Sequence, residues 1–310
     1  MAEPGAVLGL AVALAALVWG AAALDARLGS PPRSRHPARR PGPPPQQGGP
    51  LREVARLLVQ QRRLTLLPDV LLTRIGLLTL LLAPVLAAAV LPLGGAPVAD
   101  LDVGVVWFNA MEVCVWPALW LIGWGANSVY PLIGGYRYVA QGLAYELPHM
   151  FALITVALGA GSLRMTGIVQ AQHGLWYAVW MPVAFLVYLV SALAMAFWGP
   201  MGQPLGRDLA GGVPAELSGA DRLLFLAGRY GVLVVAAAAA VPLFLGGGAG
   251  PLLPAWAWTL VKTVAVLVLL VVAKHRLPAV RMDRFMDFSW MVLIPLMLAQ
   301  LLVVGIVVLP

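Results

Sequence analysis

The sequence predicts an all-α, polytopic integral membrane protein with about eight transmembrane helices and both termini on the outer side. The first observation behind this is composition. Of 310 residues, 61% are hydrophobic and 11% charged, with a mean hydropathy of +0.88, whereas soluble domains carry about 25% charged residues. So little polar surface cannot wrap a water-soluble particle, which excludes a cytosolic enzyme, a secreted disulfide scaffold and a disordered chain. The second is eight apolar runs, each near the roughly 20 residues that a 30 Å hydrocarbon core requires. The third is the placement of Lys and Arg, which collect in alternate loops.

The first run, residues 4–24, follows Met-Ala-Glu and precedes the arginines. It is longer than the roughly 7–15-residue core of a signal peptide and has no basic start, so it reads as a retained anchor within residues 1–28. Residues 29–50 hold eight prolines and four arginines, an extended connector by composition. Residues 51–69 begin Leu-Arg-Glu-Val-Ala-Arg-Leu-Leu, with Leu51, Val54, Ala55 and Leu58 at helical spacing and Arg52, Arg56 and Arg63 elsewhere on the surface. That pattern is a basic amphipathic helix lying on the membrane face, although a simple positive-inside tether explains the charge equally well.

Seven further runs make up a membrane domain over 70–310, at 70–93, 103–125, 148–166, 175–198, 222–246, 253–273 and 288–309. Segment 25–69 carries nine arginines, 126–147 carries Arg137, 199–221 carries Arg207, and 274–287 carries Lys274, Arg276, Arg281 and Arg284. Loops 94–102, 167–174 and 247–252 carry no Lys or Arg, which assigns the basic loops to the cytoplasm. The net charge of +7 is thereby read as topology rather than as a nucleic-acid footprint. No internal repeat is visible, which weighs against an inverted-repeat transporter.

Ionisable residues inside spans cost several kcal/mol and are functional candidates. Lys262 sits deep in the seventh run, where an internal carboxylate partner or a water-filled cavity is expected. Arg229 lies two turns into the sixth, either snorkelling or buried. Glu112 lies in the third, with a nearby hydroxyl or backbone group as its expected partner. Glu146 stands at the cytoplasmic start of the fourth, just before Pro148. The single cysteine, Cys114, excludes an intramolecular disulfide and multi-cysteine metal sites, and the four histidines are scattered. There is no Walker loop, no dinucleotide fingerprint, no His-Glu-x-x-His pair and no serine elbow. No metal site and no catalytic residue is therefore assigned, and any redox cofactor belongs to a partner.

The stretch after the third run reads Gly123-Trp124-Gly125-Ala126-Asn127-Ser128-Val129-Tyr130, then Arg137, Ala140-Gln141 and Ala144-Tyr145-Glu146-Leu147-Pro148. It resembles the quinone-chamber membrane subunit, the H subunit, of the bacterial proton-translocating NADH-quinone oxidoreductase, respiratory complex I. That family has a Gly-Trp-x-Ser-Asn-Ser-Lys-Tyr run, an Arg, an Ala-Gln pair and Ser-Tyr-Glu-hydrophobic-Pro. Pro50–Val54 through Leu82–Leu86, Ala215-Glu216-Leu217-Ser218-Gly219, and Lys262-Thr263 followed by Leu277–Met286 and Trp290–Pro295 extend the resemblance to about residues 50–305.

The resemblance implies a multi-pass subunit of a bacterial-type plasma membrane that forms part of the quinone-chamber wall and the start of the proton-coupling path. It implies ubiquinone or menaquinone as substrate and no covalent cofactor. Flavin and iron–sulfur clusters would reside in partner subunits of a peripheral electron-transfer arm, with antiporter-like membrane subunits as the other partners. Glu146, Glu216, Lys262, Asp208 and Arg229 are the proton-coupling candidates, and Arg137, Asp283 and Arg284 the candidates at the chamber and junction. The chain also departs from the family. The acid-rich loop before the sixth run has become Gly199–Asp208, with Asp208 alone matching one of its acids, and the following Ala-Glu-Tyr is Gly228-Arg229-Tyr230. The alternatives are a membrane subunit of an energy-converting hydrogenase or formate hydrogenlyase, a structural paralogue that assembles without coupling, and a stand-alone ion transporter.

Overall fold

The computed structural model describes residues 4–29 and 49–308; apart from its end residues, the Pro/Arg-rich connector lies outside the described residues. α1 (Pro4–Leu28) is followed by α2 (Pro50–Val59) and α3 (Val70–Ala88). α2 puts Leu57 into the protein and leaves Leu58 and Val59 exposed, as a helix lying on a membrane face does. Residues 60–69 then run without a helix until the Asp69 side chain caps α3, accepting the Leu72 amide at 3.0 Å.

The next crossing is broken. α4 (Gly104–Val113) and α5 (Val115–Gly125) meet at Cys114, because Pro117 has no amide to offer the Val113 carbonyl four residues earlier. α6 (Val129–Ala160) has 32 residues, about 48 Å of helix, well beyond a 30 Å core. It begins 19 residues before the expected start at 148. Pro131 falls in its first turn, where a missing amide costs nothing, and the Gly134-Gly135 pair is accommodated within it.

α7 (Met165–Ala171) and the single turn α8 (Tyr177–Trp180) lead to α9 (Pro182–Met195). The run 175–198 thus yields a 14-residue helix, interrupted at Met181 (φ −121°) and restarted by Pro182. α10 (Gly219–Phe244), α11 (Ala255–Arg276), α12 (Met282–Phe288) and α13 (Ile294–Val308) complete the chain, the last two joined by a π-helical turn at Ser289–Leu293. Among the described residues, seven helices are long and apolar enough to cross a membrane, and α9 is a shorter apolar helix. The all-α polytopic expectation therefore holds.

α10 is the axis of the bundle. It packs on α3, α11, α1, α2 and α9, and two-thirds of its apolar stretch is buried, against 11% for α1. Its Val234–Ala240 run is built of valine and alanine, which allows close helix approach. α3 is clamped between α10 and α5; a Cβ on Gly76 would lie 2.6 Å from the Ala118 carbonyl. Hydrogen bonds sort the loops into two ends. Arg62–Asp221, Ser128–Glu216, Arg137–Asp208 and Asp25–Lys274 gather the basic loops at one. Arg164, expected within a span, lies past the left-handed cap of α6 at Gly161 (φ +61°). There it pairs with Asp100 and Asp102 at the opposite end.

Candidate functional site

α4 and α6 face one another with two polar rungs. On α4 the residues are Asn109 and Glu112, on α6 they are Glu146 and His149; each pair is three residues apart and so shares a helix face. Asn109 Nδ2 donates to Glu146 Oε1 at 3.2 Å, and Glu112 Oε2 lies 2.8 Å from His149 Nε2. The Glu112 and His149 side chains are 5% and 0% exposed. Glu112 Oε1, Asn109 Oδ1 and His149 Nδ1 are buried without a protein partner. A small cavity borders Glu112, lined by Ala83, Ala87, Met195, Val232 and Val235.

Local sequence builds this layer. Pro148 cannot bond the Ala144 carbonyl, and Ser289 Oγ donates to that carbonyl instead, seating the π-helical turn against α6. Trp116 Nε1 donates to Tyr145 Oη at 3.0 Å, Tyr145 and Tyr138 hydroxyls lie 3.4 Å apart, and Tyr138 Oη donates to the Met195 carbonyl at 2.7 Å. Gln141 Nε2 donates to the Ala194 carbonyl at 2.6 Å. α6 is thus tied to α5 and to the end of α9.

The basic end forms a charged rim. Glu216 Oε1 accepts from Ser128 Oγ at 3.0 Å, where α6 begins, and Arg62 pairs with Asp221 at 2.8 Å. Glu216, Arg62 and Asp221 line a small cleft with Arg63, Thr65 and Pro68. Arg137 Nη2 donates to Asp208 Oδ2 at 2.8 Å, and that guanidinium holds the exposed Asp208 carboxyl below its ordinary value. Asp283 pairs with Arg281 at 2.9 Å, and Arg284 is exposed.

Arg229 turns inward. Its Nη2 donates to the Phe197 carbonyl at 2.9 Å, and the guanidinium lies 4.5 Å from the Trp198 ring centre. Trp198 also carries the Lys274 ammonium at 4.4 Å. The nearby Asp25 carboxylate takes Lys274 Nζ at 2.6 and 2.8 Å, His275 Nε2 at 2.8 Å and Tyr230 Oη at 2.8 Å. One acid thereby joins α1, α10 and α11.

Lys262 corrects its expectation. It meets no carboxylate; its three ammonium hydrogens go to the carbonyls of Leu245, Gly247 and Ala249 at 2.7, 2.9 and 2.8 Å, with the Trp176 ring 4.3 Å away. These carbonyls belong to the end of α10 and the turn that follows, where helical acceptors have run out. Gly246 and Gly247, both left-handed (φ +66° and +56°), shape that turn. Gln172 ties down the same end, donating to the Pro242 carbonyl at 2.8 Å and accepting the Gly246 amide at 3.0 Å.

Glu146 also moves from its expected place. It lies inside α6 rather than at a helix start, because α6 begins at Val129. Glu112 pairs with His149 rather than with a hydroxyl or backbone group. The structure brings Glu146 beside Glu112 and His149 and joins Arg137 to Asp208. It leaves Lys262 at the end opposite Glu216. Sequence reasoning missed Asn109, His149, Asp25 and Gln172. The signal for the first two was three-residue spacing from Glu112 and Glu146 on helical segments.

A bundle of apolar helices enclosing an acid–base layer, under a rim of ion pairs and with no metal-ligand cluster among the described residues, defines a polytopic membrane protein in which protonatable groups are buried. The sequence matches the family model described as NADH dehydrogenase over residues 33–305. The NADH-quinone oxidoreductase H subunit numbered 2 from Geobacter sulfurreducens is 38% identical over 243 residues, 72% of this chain and 74% of the relative. The H subunit numbered 1 from Geobacter metallireducens is 37% identical over the same coverage. The H subunit of the enzyme from Carboxydothermus hydrogenoformans is 32% identical over 228 residues, 72% of this chain and 65% of the relative. The chain belongs to this NADH dehydrogenase family of membrane subunits.

Proposed function

We propose that the chain forms the wall of the quinone chamber of a proton-translocating NADH-quinone oxidoreductase and the start of its proton-coupling path. Quinone is the substrate, ubiquinone or menaquinone. Electrons arrive from partner subunits that hold flavin and iron–sulfur clusters, and antiporter-like membrane subunits take up the proton work. The chain sits in a bacterial plasma membrane with its basic end in the cytoplasm and both termini outside, as the loop charges indicate.

The observation that carries this reading is the placement of acids along α6. Glu216 stands at its first turn beside the charged rim, and Glu146 lies in the bundle interior with Glu112 and His149. A quinone taking up two protons at the rim changes local charge, and buried carboxylates respond strongly to such a change. Glu216 and Glu146 are the assigned proton carriers. The Arg137–Asp208 pair, Asp283 and Arg284 form the surface on which the peripheral arm rests. Lys262 holds the far end of α10 in shape.

A second reading, a paralogue that assembles without coupling, draws on one feature: Arg229 occupies the position where the resemblance leads one to expect an acid. Its guanidinium is absorbed by the Phe197 carbonyl and the Trp198 ring. Mild-detergent purification of the tagged chain from native membranes, with partners identified by mass, separates the readings. Co-purification of flavin and iron–sulfur subunits with inhibitor-sensitive NADH-dependent quinone reduction and proton uptake supports the first. The same partners without proton uptake support the second. A nickel–iron hydrogenase in the eluate, or the chain alone, overturns both.

A further inference from the structure

We propose that Glu112 and His149 form a proton-exchanging pair, holding one proton between Glu112 Oε2 and His149 Nε2 and exchanging it through their outward atoms, Glu112 Oε1 and His149 Nδ1. The inference rests on the proposed proton path and adds two residues to it.

Three observations carry it. The two groups are in hydrogen-bond contact at 2.8 Å while 5% and 0% exposed, so protein and not solvent sets the proton's position. Each group also keeps one atom buried and without a protein partner, Glu112 Oε1 on one side and His149 Nδ1 on the other. A buried polar atom left unpaired is costly, and this pair keeps one on each of its two members. Here the two free atoms are the entry and exit that an exchanging pair requires. Finally, a small cavity borders Glu112, on the scale of one water molecule.

The groups facing the pair fit the role. α4 contributes Asn109, and α6 contributes Glu146 with the Tyr138 and Tyr145 phenols. α9 contributes Tyr188, whose ring centre is 5.4 Å from that of His149 and whose hydroxyl is spent on the Ala236 carbonyl at 2.8 Å. α3 and α10 bring apolar side chains to the cavity. Glu146, one turn before His149, is the charge that biases the pair. When it is ionised the proton is drawn to the imidazole; when it is neutral the proton is released towards Glu112. In the exchange step an N–H bond forms at Nδ1 of the neutral imidazole as the N–H bond at Nε2 breaks and an O–H bond at Oε2 forms, so the ring stays neutral and Glu112 becomes the carboxylic acid. Rotation of the carboxyl group then turns its O–H into the Oε1 position, that bond breaks as the proton leaves to the cavity, and the imidazole returns to its Nε2–H tautomer. No electron moves and no other bond changes.

The test uses the complex purified from native membranes, with Glu112→Gln, His149→Gln and the double variant. Co-purification of partners reports assembly, quinone-driven proton uptake into vesicles reports coupling, and pH-induced infrared difference spectra report protonation without turnover. Expected are assembled single variants with proton uptake per electron reduced roughly tenfold or more, and a double variant no worse than either. Expected too are a carboxylic C=O band and an imidazole band that rise and fall together in the native complex and vanish together in each variant. Wild-type proton stoichiometry in the variants, or bands that titrate independently, overturns the pair. A native complex without NADH-driven quinone reduction in which the bands still move together removes the proposed function and leaves the pair standing. Should the variants fail to assemble, the native spectra alone decide, since independent titration refutes the shared proton.

Discussion

Replacing Lys262 with Met removes three charge-assisted hydrogen bonds at once. The ammonium reaches the carbonyls of Leu245, Gly247 and Ala249 at 2.7–2.9 Å, beside Trp176. Hydrogen bonds to a charged group contribute about 1.5–3 kcal/mol each, and a cation on an aromatic face adds about 1 kcal/mol. Against this stands the desolvation of an ammonium that is 7% exposed, which offsets much of the sum. Water also reaches the Ala249 carbonyl once the lysine is gone, because Ala249 is exposed. The net loss is on the order of 2–4 kcal/mol after the better burial of methionine. For a chain of this size that lowers the melting temperature by about 3–6 °C. The assay pairs thermal unfolding in detergent, followed by tryptophan fluorescence, with proton uptake per assembled complex. The expected result is a lower melting temperature with normal uptake in complexes that survive. A wild-type melting temperature with lost uptake would refute the reasoning and return Lys262 to the proton path.

Glu216→Gln keeps the acceptor for Ser128 Oγ and removes only the charge. Assembly is expected to be intact while quinone reductase activity falls roughly tenfold or more, as for loss of a proton-carrying group; unchanged turnover ends its assigned role. Asp25→Asn strips the charge that Lys274, His275 and Tyr230 share, leaving a largely buried ammonium uncompensated. A cost of about 3–5 kcal/mol follows, visible as earlier unfolding and as weaker cysteine cross-linking between α1 and α11. Asp208 lies below its ordinary value because of Arg137. The contribution of this pair is therefore fully present above the ordinary aspartate pKa of 3.8 and is lost as pH falls through the lowered value. Arg137→Gln should then increase proteolysis of loop 199–218 at neutral pH and change nothing in strong acid.

The fold was legible where length was the signal. Apolar runs of membrane thickness named seven helices, because hydrocarbon demands about 20 apolar residues whatever their neighbours. The first half of α6 escaped that signal, since its extra length carries no requirement to be apolar and Pro131 with Gly134-Gly135 imitates a loop. α9 came out short because Pro182 restarts the helix at the middle of its run. The candidate site was legible as residue types and not as partners. Lys262 announced a buried charge, but its acceptors are backbone carbonyls, which carry no residue identity. His149 lies 37 residues from Glu112 and Asp208 lies 71 from Arg137. Only the broken helix at Cys114 and the long α6 bring the first pair together.

The separation of acids along α6 leads to the last prediction. Ser128, which holds Glu216, and Glu146 are 18 residues apart on one helix, about 27 Å along its axis. Between them lies a tempting string of hydroxyls, Tyr138 and Tyr145, 3.4 Å apart. The string is closed at both ends. Trp116 Nε1 is a donor only and occupies Tyr145 Oη, while Tyr138 Oη donates to the Met195 carbonyl, which accepts only. A proton entering such a string has no acceptor at its far end that can pass it on, so the hydroxyls hold α6 to α5 and α9 and do not conduct. Tyr138→Phe is therefore expected to cost about 1 kcal/mol for the lost hydrogen bond, with turnover and proton uptake per electron unchanged. If uptake fell in assembled Tyr138→Phe complexes of normal stability, the hydroxyl string would be part of the path. The Glu112–His149 pair would then take its protons from that string along α6, with the cavity shared with α3 and α10 still their exit.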